Sequence, residues 1–253
     1  MAELTPEERA AHNRTQLRYY ETQAKPGMVP TGSPYLRRHV EELVRFARLE
    51  AGERVLEVGC GMGRYTLLFA ERGIAVEGID LSPMLLDRLR AFDGGRFDIP
   101  LHPADVADPP AELLGRFDAV VGLFTLHHLH DLGPSFRAMT RLLAPGGRIA
   151  FLEPNPYNPL YYVQMAVTPG MTWEGDRGMV RMRRSVIFSA MAAAGFREPA
   201  LRRFGFFPPV LANTARWRRV EAALERRRAL EPVLPFQLFG GALPPEVEPP
   251  ARA

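Results

Sequence analysis

The chain has 253 residues, which fits one large α/β domain and would cramp two. With 46% hydrophobic and 24% charged residues it has the composition of a globular protein that buries a sizeable core, which excludes general disorder. The formal charge is only +3, almost every base is an arginine with Lys25 the sole lysine, and Cys60 is the single cysteine; these features argue against a nucleic-acid partner and exclude an intramolecular disulfide.

Met1 to Arg9 is polar and acidic, so no signal peptide is expected. No run approaches the ~20 apolar residues of a membrane span, and the expected location is cytoplasmic. The first 34 residues are polar apart from Tyr19 and Tyr20 and end in a Pro/Gly-rich stretch; they are expected to form a lid segment. From Tyr35 to Leu49, Leu36, Val40, Leu43, Val44 and Ala47 recur at helical spacing.

An alternation then begins. Strands are expected at Arg54–Val58, Ala75–Asp80, Ile99–Pro103, Asp118–Gly122 and Arg148–Leu152. Helices are expected at about Arg64–Arg72 and from Ser82-Pro83, where serine precedes proline at the first helical position, and another before the turn Pro145-Gly146-Gly147. The repeat implies a mainly parallel sheet covered on both faces. After Glu153, Pro154-Asn155-Pro156 opens an expected cap insertion at about 154–184. A helix near Ser185–Ala194, a strand near Leu201–Phe204, a helix over about Val210–Ala229 with Val210, Trp217, Val220 and Leu224 on one stripe, and a strand near Phe236–Phe239 complete a domain over 35–243. The Pro/Glu-rich tail at 244–253 is expected to be disordered.

Chemistry concentrates at Val55-Leu56-Glu57-Val58-Gly59-Cys60-Gly61-Met62-Gly63, a strand entering a glycine turn and then a helix. Glycines there let a ligand lie against backbone, and the helix start offers free N–H groups. Asp80 ends the next strand about twenty residues later, where a carboxylate can accept from both hydroxyls of a ribose. A nicotinamide dinucleotide would suit these two elements, but its fingerprint requires a glycine where Arg64 or Thr66 stands. Glu57 also suits a cationic amino-acid tail better than a pyrophosphate.

The ordered segments Glu57 to Gly63, Gly78-Ile79-Asp80-Leu81-Ser82-Pro83-Met84, Ala104-Asp105-Val106, Phe117 to Val121, Leu126-His127-His128-Leu129 and Leu142 to Gly147 resemble the motifs of class I S-adenosylmethionine-dependent methyltransferases. The resemblance covers about residues 53–153. It implies a Rossmann-like fold: a seven-stranded, mostly parallel sheet with a reversed last strand and helices on both faces. It implies S-adenosyl-L-methionine as cofactor, with Gly59, Cys60, Gly61 and Gly63 around its methionine part and Glu57 near the ammonium. Asp80 would hold the ribose, Leu81 and Met84 flank the adenine, Asp105 and Val106 meet its amino edge, and Phe124 supply backbone contacts. Tyr20 either closes over the cofactor or is a core aromatic.

His127 and His128 follow the fourth strand, where open α/β sheets bind ligands, and each either takes a proton from an acceptor or only packs and hydrogen-bonds locally. Sugar and natural-product O-methyltransferases resembling this chain pair such histidines with an acid ending the fifth strand, here Glu153, which either orients the base or is the base. Adjacent histidines do not share a helix face, so no metal is expected. The expected partner is a small-molecule methyl acceptor, O-methylation being favoured, walled by aromatics such as Tyr157, Tyr161, Tyr162, Trp173, Phe206 and Phe207. No nucleic acid and no stable membrane insertion are expected, and the oligomeric state is left open. The alternatives are a nicotinamide-dependent oxidoreductase, a non-catalytic adenosylmethionine-binding regulator, and a membrane-surface module using Arg216, Arg218, Arg219, Arg226, Arg227 and Arg228.

Overall fold

A computed structural model describes residues 5–21, 28–167 and 177–245. Trp173 and the rest of 168–176 in the expected cap, residues 22–27 of the N-terminal segment, and the tail from 246 lie outside the described residues.

Strand β1 (Arg54–Val58) is buried from Val55 onward and runs parallel to β2 (Ala75–Asp80) on one side and β4 (Phe117–Leu123) on the other. β3 (Leu101–Pro103) extends the sheet beyond β2, and β5 (Leu143–Pro154) extends it beyond β4, both in parallel. β7 (Phe236–Ala242) lies between β5 and β6 (Arg197–Phe204), antiparallel to both. The order β3-β2-β1-β4-β5-β7-β6 is the seven-stranded, mostly parallel sheet with a reversed last strand that the resemblance implies. Its direction of winding changes between β1 and β4, and such a switch leaves a crevice at the strands' carboxyl ends.

Period-two alternation sends the core to both faces. Leu56, Val58, Val120, Ile149 and Phe151 pack with Phe136 and Met139 of α5 (Leu132–Leu142) and Ile187 and Met191 of α7 (Arg184–Ala193). Val55, Val121, Ala150 and Leu152 pack with Leu36, Val40 and Leu43 of α2 (Pro34–Ala47) and Phe69 of α3 (Thr66–Ala70). Each such Leu, Ile or Phe contributes roughly 1.5–3 kcal/mol by burial. Helix α4 (Pro83–Asp93) starts as expected, with the Ser82 hydroxyl accepting from Leu85 N at 3.2 Å. Among the described residues no helix is long and apolar enough to cross a membrane.

Two regions depart from the sequence reading. The polar N-terminal segment contains a helix, α1 (Pro6–Glu21), opened by a reciprocal cap: Thr5 N donates to Glu8 Oε2 at 2.9 Å and Glu8 N donates to Thr5 Oγ1 at 3.3 Å. The single helix expected over Val210–Ala229 is two, α8 (Pro209–Ala212) and α9 (Ala215–Glu225), broken where Asn213 turns its Oδ1 to accept from Tyr35 N at 2.9 Å and Thr214 becomes extended. The apolar stripe expected there does not face the core. Val210 is 81% exposed, and the buried residue of α9 is Glu221.

The 154–184 segment is tied to the chain before β7 by two buried asparagines. Asn155 Nδ2 donates to Pro232 O and Leu234 O at 2.9 and 2.7 Å, and Asn158 Nδ2 to Val233 O at 2.6 Å. Helix α6 (Pro159–Val167) follows, leaving Leu160 and Val163 exposed.

Candidate active site

A cavity of about 1220 Å³ lies over the carboxyl ends of β1, β2, β4 and β5, enough for two small molecules side by side. Gly59, Cys60 and Gly61 form part of its floor. Gly61 has φ +52°, and a Cβ there would stand in the cavity with only the Met28 terminal methyl within 4 Å. Gly63 does not line the cavity; a Cβ there would lie 2.7 Å from Leu89 Cγ, so this glycine serves the packing of α3 on α4.

Asp80 is held by backbone. Its Oδ2 accepts from Gly61 N at 2.8 Å and its Oδ1 from Ser82 N at 2.9 Å, which leaves each oxygen a further lone pair. Burial raises its carboxyl above the ordinary value against those two donors. Glu57 sits behind the cavity floor, 2% exposed, with Oε2 unpartnered. Burial, assisted by Asp80, pushes its carboxyl up to about 8.

Leu81, Asp105 and Val106 line one end of the cavity; Leu85 lines it there and Met84 does not. Asp105 is engaged with the chain itself, accepting from Ala107 N at 2.8 Å and from Asn13 Nδ2 of α1 at 2.8 Å, with Arg9 Nε 3.7 Å away. Phe124 follows β4 with φ +57°, an unfavourable value for an aromatic residue. Its N–H donates to Leu152 O at 2.7 Å while its ring lies 5.5 Å from that of His39.

Glu153, completely buried at the end of β5, organises the turn after β4. Its Oε1 accepts from Thr125 N at 2.8 Å and Leu126 N at 2.7 Å, and its Oε2 lies 2.6 Å from His127 Nδ1. An ionised carboxylate only accepts, so this contact selects the tautomer of a neutral imidazole that carries its proton on Nδ1 and leaves Nε2 as an acceptor. His127 lines the cavity and Glu153 does not. From behind, Gly178 approaches so closely that a Cβ there would lie 1.8 Å from His127 O, and Arg181 donates to the carbonyls of Leu129 and His130. His128 turns instead to α1, its Nε2 2.6 Å from the Tyr20 hydroxyl. The two histidines thus have different partners although their rings are 4.0 Å apart.

Of the aromatic wall expected from sequence, Tyr161, Phe206 and Phe207 line the cavity; Tyr157 and Tyr162 do not, and Trp173 lies outside the described residues. Trp217 stands behind, 5.1 Å from the Phe207 ring. Sequence reading missed Tyr35, His39, Arg64, Tyr65, Thr125 and Phe236, all in the lining. His39 and Tyr65 read as ordinary helix-face positions, and only the fold turns them inward. The T-x-x-E box at Thr5 and Glu8, with Pro6 at the first position, was the available signal for α1.

These residues fit an adenosine with a charged amino-acid end: a carboxylate poised for a diol, an orphaned buried carboxylate oxygen for a cation, and a glycine turn whose Cβ space opens into the cavity. The profile of a methyltransferase-domain family matches residues 33–197, and the chain belongs to that family. It is 36% identical over 126 residues to a ubiquinone biosynthesis O-methyltransferase of Azotobacter vinelandii, a match covering 49% of this chain and 52% of that protein. With the protein of the same name from Xanthomonas axonopodis pv. citri it shares 42% over 106 residues, 41% and 44% of the two chains. The chain thus matches about half the length of these curated relatives. Among solved structures, Haemonchus contortus phosphoethanolamine N-methyltransferase 2 in complex with S-adenosyl-L-methionine shares the fold, with TM-score 0.61 at 17% identity over 93% of this chain and 60% of that one.

Proposed function

We propose that this methyltransferase moves the methyl group of S-adenosylmethionine to an oxygen of a small, partly apolar acceptor, with His127 as general base. The observation that carries the reading is the His127–Glu153 pair, which engages one ring nitrogen of a histidine that lines the same cavity as the glycine turn and Asp80. The names of the O-methyltransferase relatives support oxygen as the methylated atom.

The cofactor supplies an electrophilic methyl on a sulfonium. Asp80 would hold the ribose hydroxyls, Glu57 would face the ammonium, and Gly59 to Gly61 would admit the chain between them. Leu81 and Val106 would take the adenine faces, with Leu85 beside them where the sequence reading put Met84. His127 Nε2 would receive the hydroxyl proton as the methyl passes from the sulfonium sulfur to the acceptor oxygen. Glu153 stabilises the imidazolium and is therefore a positioning residue. Tyr20 and α1 act as a lid, and residues 154–184 cap the acceptor side.

The test is methyl transfer from labelled S-adenosylmethionine to a panel of phenols, with binding of S-adenosylhomocysteine measured in parallel. His127→Ala is expected to lower turnover about 10²–10⁴-fold and to leave product affinity within about twofold. Full turnover in that variant would leave proximity as the main source of rate and remove the base.

A further inference from the structure

Part of the cavity lining is an aromatic cluster that includes Tyr35, His39, Tyr65 and Phe236. Ring centroids lie 4.4 Å apart for Tyr35 and His39 and 4.7 Å for His39 and Phe236. Inside this apolar lining two buried nitrogens have no hydrogen-bond partner, His39 Nε2 and Arg64 Nε. Arg64 lines the cavity and lies 5.4 Å from the Tyr65 ring centroid, but among the described residues no carboxylate pairs with it. Other arginines differ: Arg38 is paired with Glu221 and Glu225, and Arg148 with Glu53. A guanidinium left unpaired in a largely buried aromatic wall is costly unless a ligand supplies the counter-charge.

The neighbours favour donation to that ligand. His39 Nδ1 lies 3.1 Å from the Tyr65 hydroxyl. Burial pushes Tyr65 up to about 12, so it keeps its proton, and burial with the charges of Arg64 and Arg38 pushes His39 down to about 3, so it stays neutral. With Tyr65 donating to Nδ1, Nε2 carries the imidazole N–H.

We propose that Arg64 and His39 form a subsite for a carboxylate carried by a ligand of this cavity. The assignment rests on the proposed function insofar as that places the cofactor in the same cavity. Two sources carry this chemistry: the amino-acid end of the cofactor and an acid group on the acceptor. The cofactor's end is a zwitterion, and both Glu57 and Arg64 act on Tyr65, so a carboxyl and a guanidinium stand on this side of the fold. A ligand neutral at this point would leave the guanidinium unpaired, so the subsite would select against it.

Calorimetry on the full chain with four probes separates the sources. S-adenosylhomocysteine carries the amino acid and 5′-methylthioadenosine lacks it; benzoate and its neutral counterpart benzyl alcohol are titrated into protein saturated with S-adenosylhomocysteine. Arg64→Met is expected to weaken one carboxylate probe by about tenfold or more and its neutral counterpart by less than about twofold. Selective loss of S-adenosylhomocysteine assigns the subsite to the cofactor, and selective loss of benzoate assigns it to the acceptor. Arg64→Lys should recover part of the loss, and Arg64→Gln gives the same comparison should Arg64→Met fail to fold. Equal affinities in wild type and variant for all four probes, or equal weakening of an acid and its neutral counterpart, would overturn the subsite. A wild type that binds neither adenosine probe sinks the cofactor reading, and benzoate against benzyl alcohol, then titrated without S-adenosylhomocysteine, still decides the subsite; binding of neither acid overturns it as well.

Discussion

On the sheet side of the cavity, Glu153 receives three donors while completely buried, and Asp80 receives two backbone N–H groups. On the opposite side, α1 is attached through polar side chains: Asn13 to Asp105 at 2.8 Å, Ser82 to Glu21 at 2.8 Å, Arg9 near Asp105 at 3.7 Å, and Tyr20 with His128. Ion pairs of the exposed kind contribute about 0–1 kcal/mol each, and α1 has no apolar stripe to add to them. Buried, hydrogen-bonded groups resist loss far more strongly. The difference teaches where motion is cheap: the wall that carries His127 is held by buried hydrogen bonds, and α1 is held by weaker polar contacts, as the proposed lid requires.

The largest effect should come from the fixed side. Glu153→Ala leaves Thr125 N, Leu126 N and His127 Nδ1 without their acceptor, and it should cost about 3–5 kcal/mol of stability, read as a lower denaturant midpoint at unchanged slope. A loss below about 1 kcal/mol would show that this turn does not depend on the carboxylate.

A pH dependence should follow on the same side. Glu57 has its carboxyl raised from 4.5 to about 8, so between those values the folded chain holds a proton that the unfolded chain has released. Stability of the ligand-free protein should therefore fall as pH rises through that window, by a few kcal/mol at most, and Glu57→Gln should flatten the profile. Melting curves from pH 5 to 9 provide the comparison. A wild type and variant with parallel profiles would remove Glu57 as the cause.

Asp80→Ala should weaken S-adenosylhomocysteine binding by about tenfold or more in a folded protein. Unchanged affinity there would contradict the ribose assignment. The smallest effect belongs to α1. Asn13→Ala should change global stability by less than about 1 kcal/mol. It should nevertheless speed hydrogen exchange in α1 selectively. Exchange that accelerates equally in β1 and α1 would mean that the two sides are one cooperative unit.

How much of this was legible in the sequence depends on the distance over which each signal acts. β1 and β2 were bounded correctly because short, mostly apolar runs between turn residues are local signals, and the Ser82-Pro83 start of α4 was local too. The glycine turn and Asp80 were readable together because one strand-turn-helix unit and its neighbour suffice to bring them close. α1 escaped because its partners Asp105 and His128 lie far along the chain and leave no periodicity behind. The break in α8–α9 escaped because it depends on Asn213 meeting Tyr35, 178 positions away.

The sequence alone determined the fold class, and it singled out the glycine turn, Asp80 and the side chains His127, His128 and Glu153, which the structure brings to one end of the sheet, since each rests on residue type at short spacing. Only the tertiary structure decided how they are arranged. It put Glu153 on His127 Nδ1, gave His128 to Tyr20, moved Gly63 and Met84 out of the cavity lining, and brought His39 beside Arg64. The physical reason is that a hydrogen bond or a buried charge acts over a few ångströms in space. Residues 26 positions apart, as His127 and Glu153 are, come within that range only when β4 and β5 pair in register.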